Sequence, residues 1–179
     1  MEGIADAAGV SKPVIYQHFD SKAELFEELI VAVGADLLAA VTAAAAVEED
    51  PYRRVLAGFR SYFGFVGAQP AAFTLLFDSG ARQSPEFSAT VRSVESRIAI
   101  TIGELIEVDI DQPHRELLAF GIVGLAETTS RMWLERRSGD LGDGSADSRE
   151  GELMARRLAD LVWAGLRALP ATRPPTADR

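Results

Sequence analysis

Residues Ile4-Ala5-Asp6-Ala7-Ala8-Gly9-Val10-Ser11-Lys12-Pro13-Val14-Ile15-Tyr16-Gln17-His18-Phe19-Asp20-Ser21-Lys22-Ala23-Glu24-Leu25 carry the strongest local pattern in the chain. Ile4, Ala5 and Ala8 form a small apolar stripe at helical spacing. Gly9 follows, where a helix ends and the chain turns with positive φ. Val10 is placed to plug the angle between two helices. Ser11 stands where an N-cap belongs, its hydroxyl open to an orphan backbone N–H. Pro13 falls in the first turn of the next helix, where its missing donor costs nothing. Ile15 and Phe19, four apart, turn towards the first stripe and leave Lys12, Val14, Tyr16, Gln17 and His18 on the other faces. Ser21 and Glu24 make a capping box for a third helix. Two short helices around a tight turn, followed by a capped third, form the layout of a helix-turn-helix DNA reader.

This segment resembles the head of the TetR (tetracycline-repressor-like) family of bacterial transcription regulators. The family's head runs roughly I-A-x-x-A-G-V-S, a short variable stretch, then Y-x-H/Y-F and x-S-K-x-x-L. The chain matches it at Ile4, Ala5, Ala8, Gly9, Val10, Ser11, Tyr16, His18, Phe19, Ser21, Lys22 and Leu25. The resemblance implies an all-α fold, with a helix-turn-helix head joined to a helical ligand-binding and dimerisation domain. We expect the head over 1–30, the second domain over 31–169 and a disordered tail over 170–179. Family members usually carry one more helix ahead of this motif, and only three residues precede Ile4 here. The expectation is therefore an incomplete head, either because Met1 is an internal methionine taken as a start, or because the sequence is cut at that point, or because the protein is naturally shortened. One side of Ile4, Ala8, Ile15 and Phe19 would then lack a packing partner, a loss of several kcal/mol at ~25 cal/mol per Å². Pro13 also departs from the family, which often has Gly there.

Composition bounds the remainder. Zero cysteines exclude disulfides and thiolate chemistry and fit a cytoplasmic protein. The apolar share of 47% is ample for a packed core. No secretory signal is visible, and the Ala-rich run from Val31 to Val47, the nearest approach to a membrane span, is interrupted by Asp36. The net charge of −9 does not favour nucleic acid in general. Residues 1–28 carry Lys12 and Lys22 against Glu2, Asp6, Asp20, Glu24, Glu27 and Glu28, two positive charges against six negative, or −4.

The pattern predicts helices almost throughout. One runs from about Ser21 to Ala46 on a stripe of Leu25, Leu29, Val33, Leu37 and Val41. A second spans about Tyr52 to Gly67, with Val55, Phe59, Tyr62, Phe63 and Val66 on one side. A short third opens at Pro70 and holds Phe73, Leu76 and Phe77; Asp78-Ser79-Gly80 turns the chain. A fourth is expected from about Pro85 to Val108, with Phe87, Val91, Val94, Ile98, Ile102 and Leu105. Asp111-Gln112-Pro113 breaks it before a helix from His114 to about Arg137, with Leu118, Ile122, Leu125, Thr129 and Trp133 in line. Ser138–Ser148 is rich in Gly, Ser and Asp and predicts a mobile loop. The last helix spans about Arg149 to Leu169, on Leu153, Leu158, Leu161, Val162 and Leu166.

The last two helices suit either the interior of a monomer or a two-fold four-helix interface, since Gly121, Gly124 and Ala126 permit close approach. The resemblance implies the homodimer, which places two reading helices on successive major grooves ~34 Å apart. It also implies a double-stranded, pseudo-palindromic DNA operator as partner. Ser11, Lys12, Pro13, Val14 and Gln17 then face DNA near the start of the reading helix. Gln17 would read adenine and Val14 a thymine methyl, while Tyr16, His18 and Lys22 suit backbone phosphate. Each is otherwise a solvated helix face, and His18 could equally pack beside Phe26.

A small, hydrophobic effector is the second partner the resemblance implies. The candidate pocket residues are Phe59, Tyr62, Phe63, Phe73, Phe77, Phe87 and Trp133, with Arg97, Glu127 and Arg131 as polar members; Glu95 and Thr128 are further polar neighbours. Aromatics at such spacing are ordinarily core. An effector would shift the heads off their grooves through a coupling of ~1–3 kcal/mol. No catalytic constellation, metal-ligand spacing or cofactor motif is visible, and no cofactor is expected. Three functions follow: a ligand-responsive repressor; a shortened ligand-binding and dimerisation module without independent DNA binding; and a small helical carrier or enzyme using the aromatic pocket.

Overall fold

The computed structural model describes residues 1–77, 84–139 and 144–169. Among these it contains eight helices and no strand. They are α1 (Glu2–Ala8), α2 (Lys12–His18), α3 (Lys22–Ala46), α4 (Pro51–Ala68), α5 (Pro70–Phe77), α6 (Ser88–Glu104), α7 (Gln112–Gly139) and α8 (Gly144–Ala168). The expected turn at Asp78–Gly80 and the tail at 170–179 lie outside the described residues. The expected loop at 138–148 is partly replaced by helix, since α8 starts at Gly144.

Helix α3 joins two cores. Leu25 packs with Ala5 and Ile15 in the small core of the head. Five residues on, Ile30 enters the main core, followed by Gly34, Leu37, Val41 and Ala45. Five helical steps rotate by about 140°, so the two faces lie on nearly opposite sides. A single stripe at i+4 spacing cannot serve both, which is why Leu29 is exposed and Ile30 is buried. By length and composition α3 would suffice to cross a bilayer, despite Asp36. Here its buried face packs against α4 and α6.

Helix α4 starts on Pro51, with Asp50 Oδ1 accepting the Arg53 N–H at 2.8 Å as its cap. It buries Leu56, Phe59, Tyr62, Phe63 and Val66 against α3 and α8. Val55, expected inside, is only half-buried, and Leu56 takes the core position. Trp133 of α7 is almost fully buried in a slot between two glycines. A Cβ on Gly67 of α4 or Gly151 of α8 would lie 3.1 or 3.2 Å from its ring. The indole meets the Phe63 ring edge to face, with centroids 6.0 Å apart.

Helix α6 is shorter than predicted, ending at Glu104 rather than Val108. Ile106 and Ile110 are buried, Val108 is half-buried, and Glu107 and Asp109 are exposed. This period of two belongs to extended chain, not to helix. Arg115 of α7 fixes the segment by donating to the carbonyls of Ile106 and Val108, the latter at 2.8 Å. Phe87, expected inside α6, precedes it and packs its ring, tilted, against Phe26 of α3 with centroids 4.5 Å apart.

Candidate DNA-reading head and effector cavity

In the head, Gly9 adopts φ 66° and ψ 26°, the left-handed conformation the sequence requires there. The Val10 N–H donates to Ala5 O and the Gly9 N–H to Asp6 O, at 3.0 and 3.2 Å, closing a Schellman turn. Ile15 is buried, with Met1, Ile4 and Phe19 half-covered around it. Ala8 and Val10 do not join that core and are exposed. Ser11 takes the cap position of α2, but its hydroxyl makes no capping bond. Pro13 removes one donor, and the Val14 N–H is taken by the backbone carbonyl of Ser11 at 2.9 Å. The Ser21 cap does form: its Oγ accepts the Glu24 N–H at 3.0 Å.

Ser11, Lys12, Pro13, Val14, Tyr16, Gln17 and His18 are all exposed on α2, and Lys22 is exposed at the start of α3. Val14 and Tyr16 keep 38% and 47% of their surface in solvent, high for such side chains in a packed helix pair. His18 lies against Phe19, with centroids 6.5 Å apart, and not beside Phe26.

The body holds a partly open cavity of about 350 Å³, within the range of small-molecule sites. Its wall is mostly aliphatic, drawn from α3, α4, α6, α7 and α8, with Leu37, Val41, Ile98, Ile102, Ile122 and Val162 prominent. Of the ten residues proposed from sequence, Phe59, Tyr62 and Phe77 line it. Phe63, Phe73 and Trp133 pack in the solid core behind it, and Phe87 is engaged with Phe26. Arg97 lies in a separate groove between α3 and α6. Glu127 and Arg131 pair with one another along α7, and Arg131 also donates to Phe77 O at 3.2 Å.

One part of the cavity wall is charged, a feature the sequence reading missed because its contributors are far apart in the chain. Arg54, Glu107 and Arg167 contribute to the lining, and Arg54 is paired with Glu107 at 2.5 Å. Tyr62 lies elsewhere on the wall; burial pushes its hydroxyl pKa up, the Ser130 hydroxyl beside it works against that shift and Glu127 adds to it. Among the described residues, no group of three or more His, Asp or Glu side chains is placed to hold a metal.

A helix-turn-helix head continuous with a helical body is the layout of a DNA-binding transcriptional regulator. Residues 1–29 match the family model for bacterial regulatory proteins of the tetR family, and residues 51–165 match that for the tetracyclin repressor-like C-terminal domain. The chain belongs to the TetR family of transcriptional regulators. It is 30% identical over 175 residues to the HTH-type transcriptional activator FasR of Mycolicibacterium smegmatis, covering 97% of this chain and 76% of that protein. A TetR-like transcriptional regulator from Rhodococcus sp. RHA1 superposes with a TM-score of 0.63 at 27% identity, covering 94% of this chain and 84% of that one. A putative tetR family regulator from Shewanella sp. PV-4 shares the fold, with a TM-score of 0.62 at 20% identity, covering 95% and 86%. Members of this family bind DNA operators and dimerise, and they are regulators rather than enzymes.

Proposed function

We propose that this chain is a homodimeric, cytoplasmic repressor released from a pseudo-palindromic operator by a small apolar molecule held in the cavity of the body. The observation that carries this reading is the continuity of α3. One helix contributes Leu25 to the head core and Leu37, Leu38 and Val41 to the cavity wall. An occupant that parts α3 from α6 therefore moves the head. The contact that would resist is Gly34 against Val94, where a Cβ on Gly34 would lie 2.3 Å from Val94 Cγ1. Phe26 on Phe87, and Thr90 donating to Glu27 at 3.4 Å, brace the same two helices nearer the head.

Ser11, Lys12, Pro13, Val14, Tyr16, Gln17, His18 and Lys22 form the proposed DNA face. The dimer face is the outer side of α7 and α8. Leu117 and Phe120 are 71% and 50% exposed on α7, and Leu161 is 59% exposed on α8. Gly121 and Gly124, on the same side of α7, have open space where a Cβ would be. Selection of duplexes from a random DNA library tests the reading. An inverted repeat with two half-sites about one helical turn apart is expected; absence of any enriched sequence contradicts it. The sign of regulation is read separately from reporter expression with and without the chain: repression is expected, and the activator at 30% identity marks activation as the contrary result.

A further inference from the structure

The cavity has a deep end and a mouth. Phe59, Tyr62 and Phe77 line the deep end, and all three are buried. At the other end Arg54 and Glu107 keep 24% and 64% of their side-chain surface in solvent, and Arg167 is exposed. Solvent therefore meets the cavity between the start of α4, the end of α8 and the stretch that follows α6. Leu105, Ile106, Glu107 and Val108 of that stretch line the cavity, and every other lining residue lies in a helix.

Both sides of this mouth are fixed at the backbone. Ile106 and Ile110 are buried in a second small core with Ala99, Ala119 and Leu166. Arg115 of α7 holds the carbonyls of Ile106 and Val108. On the facing side, Arg54 belongs to α4, and its Nε donates to the Glu48 carbonyl at 3.3 Å. Between the two sides runs the contact of Arg54 Nη1 with Glu107 Oε1, at 2.5 Å. A pair this open to water is weak and screened by salt. It can part by side-chain rotation while the backbone on either side stays in place.

We propose that the Arg54–Glu107 pair is a gate across the cavity mouth, which parts to admit a small molecule and re-forms behind it. This rests on reading the cavity as the effector site. Arg115 is a positioning residue, since it sets the strand-like backbone that carries Glu107 to the mouth. A gate of this kind acts on rates. The pair is formed in both the empty and the filled state, so its loss speeds entry and exit together and leaves their ratio alone.

Stopped-flow mixing of the full chain with N-phenyl-1-naphthylamine, an uncharged apolar dye, tests this through quenching of Trp163, which lines the cavity. Glu107→Gln should raise the association and dissociation rate constants together by about threefold, as loss of an exposed ion pair allows. Raising salt from about 0.05 to about 0.5 M should speed entry into wild type and leave Glu107→Gln unchanged. The chain has no cysteine, so Arg54→Cys combined with Glu107→Cys can be bridged selectively by bismaleimidoethane. The bridged protein should take up the dye at least tenfold more slowly than the same variant before bridging. Equal entry rates in wild type and Glu107→Gln overturn the gate and leave the cavity reading intact. So does a change confined to the dissociation rate, which would make Glu107 a ligand contact, and so does unhindered entry into the bridged protein. Failure of the dye to bind wild type and both variants overturns the gate together with the cavity reading beneath it.

Discussion

Gly34 and Leu29 show how single positions govern this chain. Gly34 faces Val94 with no room for a methyl group. Gly34→Ala must push α3 from α6 and should cost ~1–3 kcal/mol, as overpacking does. That corresponds to roughly 3–10 °C in melting temperature for a domain of this size, measured by circular dichroism. An unchanged melting temperature would mean that α3 and α6 part freely. Nothing in the local sequence marks this glycine, since its reason is a residue sixty positions away. Leu29 is exposed for a related reason: it and Ile30 are apolar neighbours in sequence, and only the change of partner from head to body selects Ile30 for the core. Gly9, by contrast, was legible at once, because its left-handed backbone is demanded by the turn itself. The same holds for the Ser21 cap, which involves only its own helix.

At the scale of elements, α2 and α8 lead to separate tests. Lys22→Ala should weaken binding to all duplexes alike and lower the salt slope by about 1, as loss of a phosphate contact does. Gln17→Ala should instead relax sequence preference at one operator position, costing ~1–3 kcal/mol there. Anisotropy at several salt concentrations separates the two, and the reverse assignment would invert the proposed roles. Helix α8 is clamped to α4 by Arg60, whose guanidinium holds the Glu152 carboxyl below its ordinary pKa. A depressed carboxyl stabilises the fold fully above its unfolded value of about 4.5. The contribution is lost as pH falls through the lower folded value. Both partners are 46% exposed, so the contribution should stay under ~1 kcal/mol. Urea titrations of Glu152→Gln and wild type should therefore differ slightly at pH 7 and converge once the pH falls below the carboxyl's folded value. A difference that does not shrink as the pH falls would assign the effect to packing rather than charge. Helix positions are largely legible from periodicity; the end of α6 is not, because Leu105 and Val108 continue its apolar pattern past Glu104, although Ile106, Val108 and Ile110 alternate as extended chain does.

The whole molecule has a net charge of −9 and presents only two cations, Lys12 and Lys22, within residues 1–28. Two-fold symmetry doubles whatever contacts one head makes to DNA. Dimerisation becomes a condition of affinity. Phe120→Glu combined with Leu161→Glu should give a monomer of unchanged helix content, by sedimentation and circular dichroism, and should abolish operator binding. A double variant that stays dimeric would move the interface off α7 and α8. The head's identity was legible because a helix-turn-helix is a local motif with fixed spacing. The cavity was less so: its aliphatic wall comes from five helices, whereas sequence reading favours conspicuous aromatics, most of which fill the core. The most direct test of the account is fluorescence anisotropy of the promoter duplex flanking the gene against a scrambled duplex, at 0.15 M salt. Binding to the promoter should be at least about a thousandfold tighter; equal affinity for both duplexes would contradict the assignment of this chain as a sequence-specific regulator.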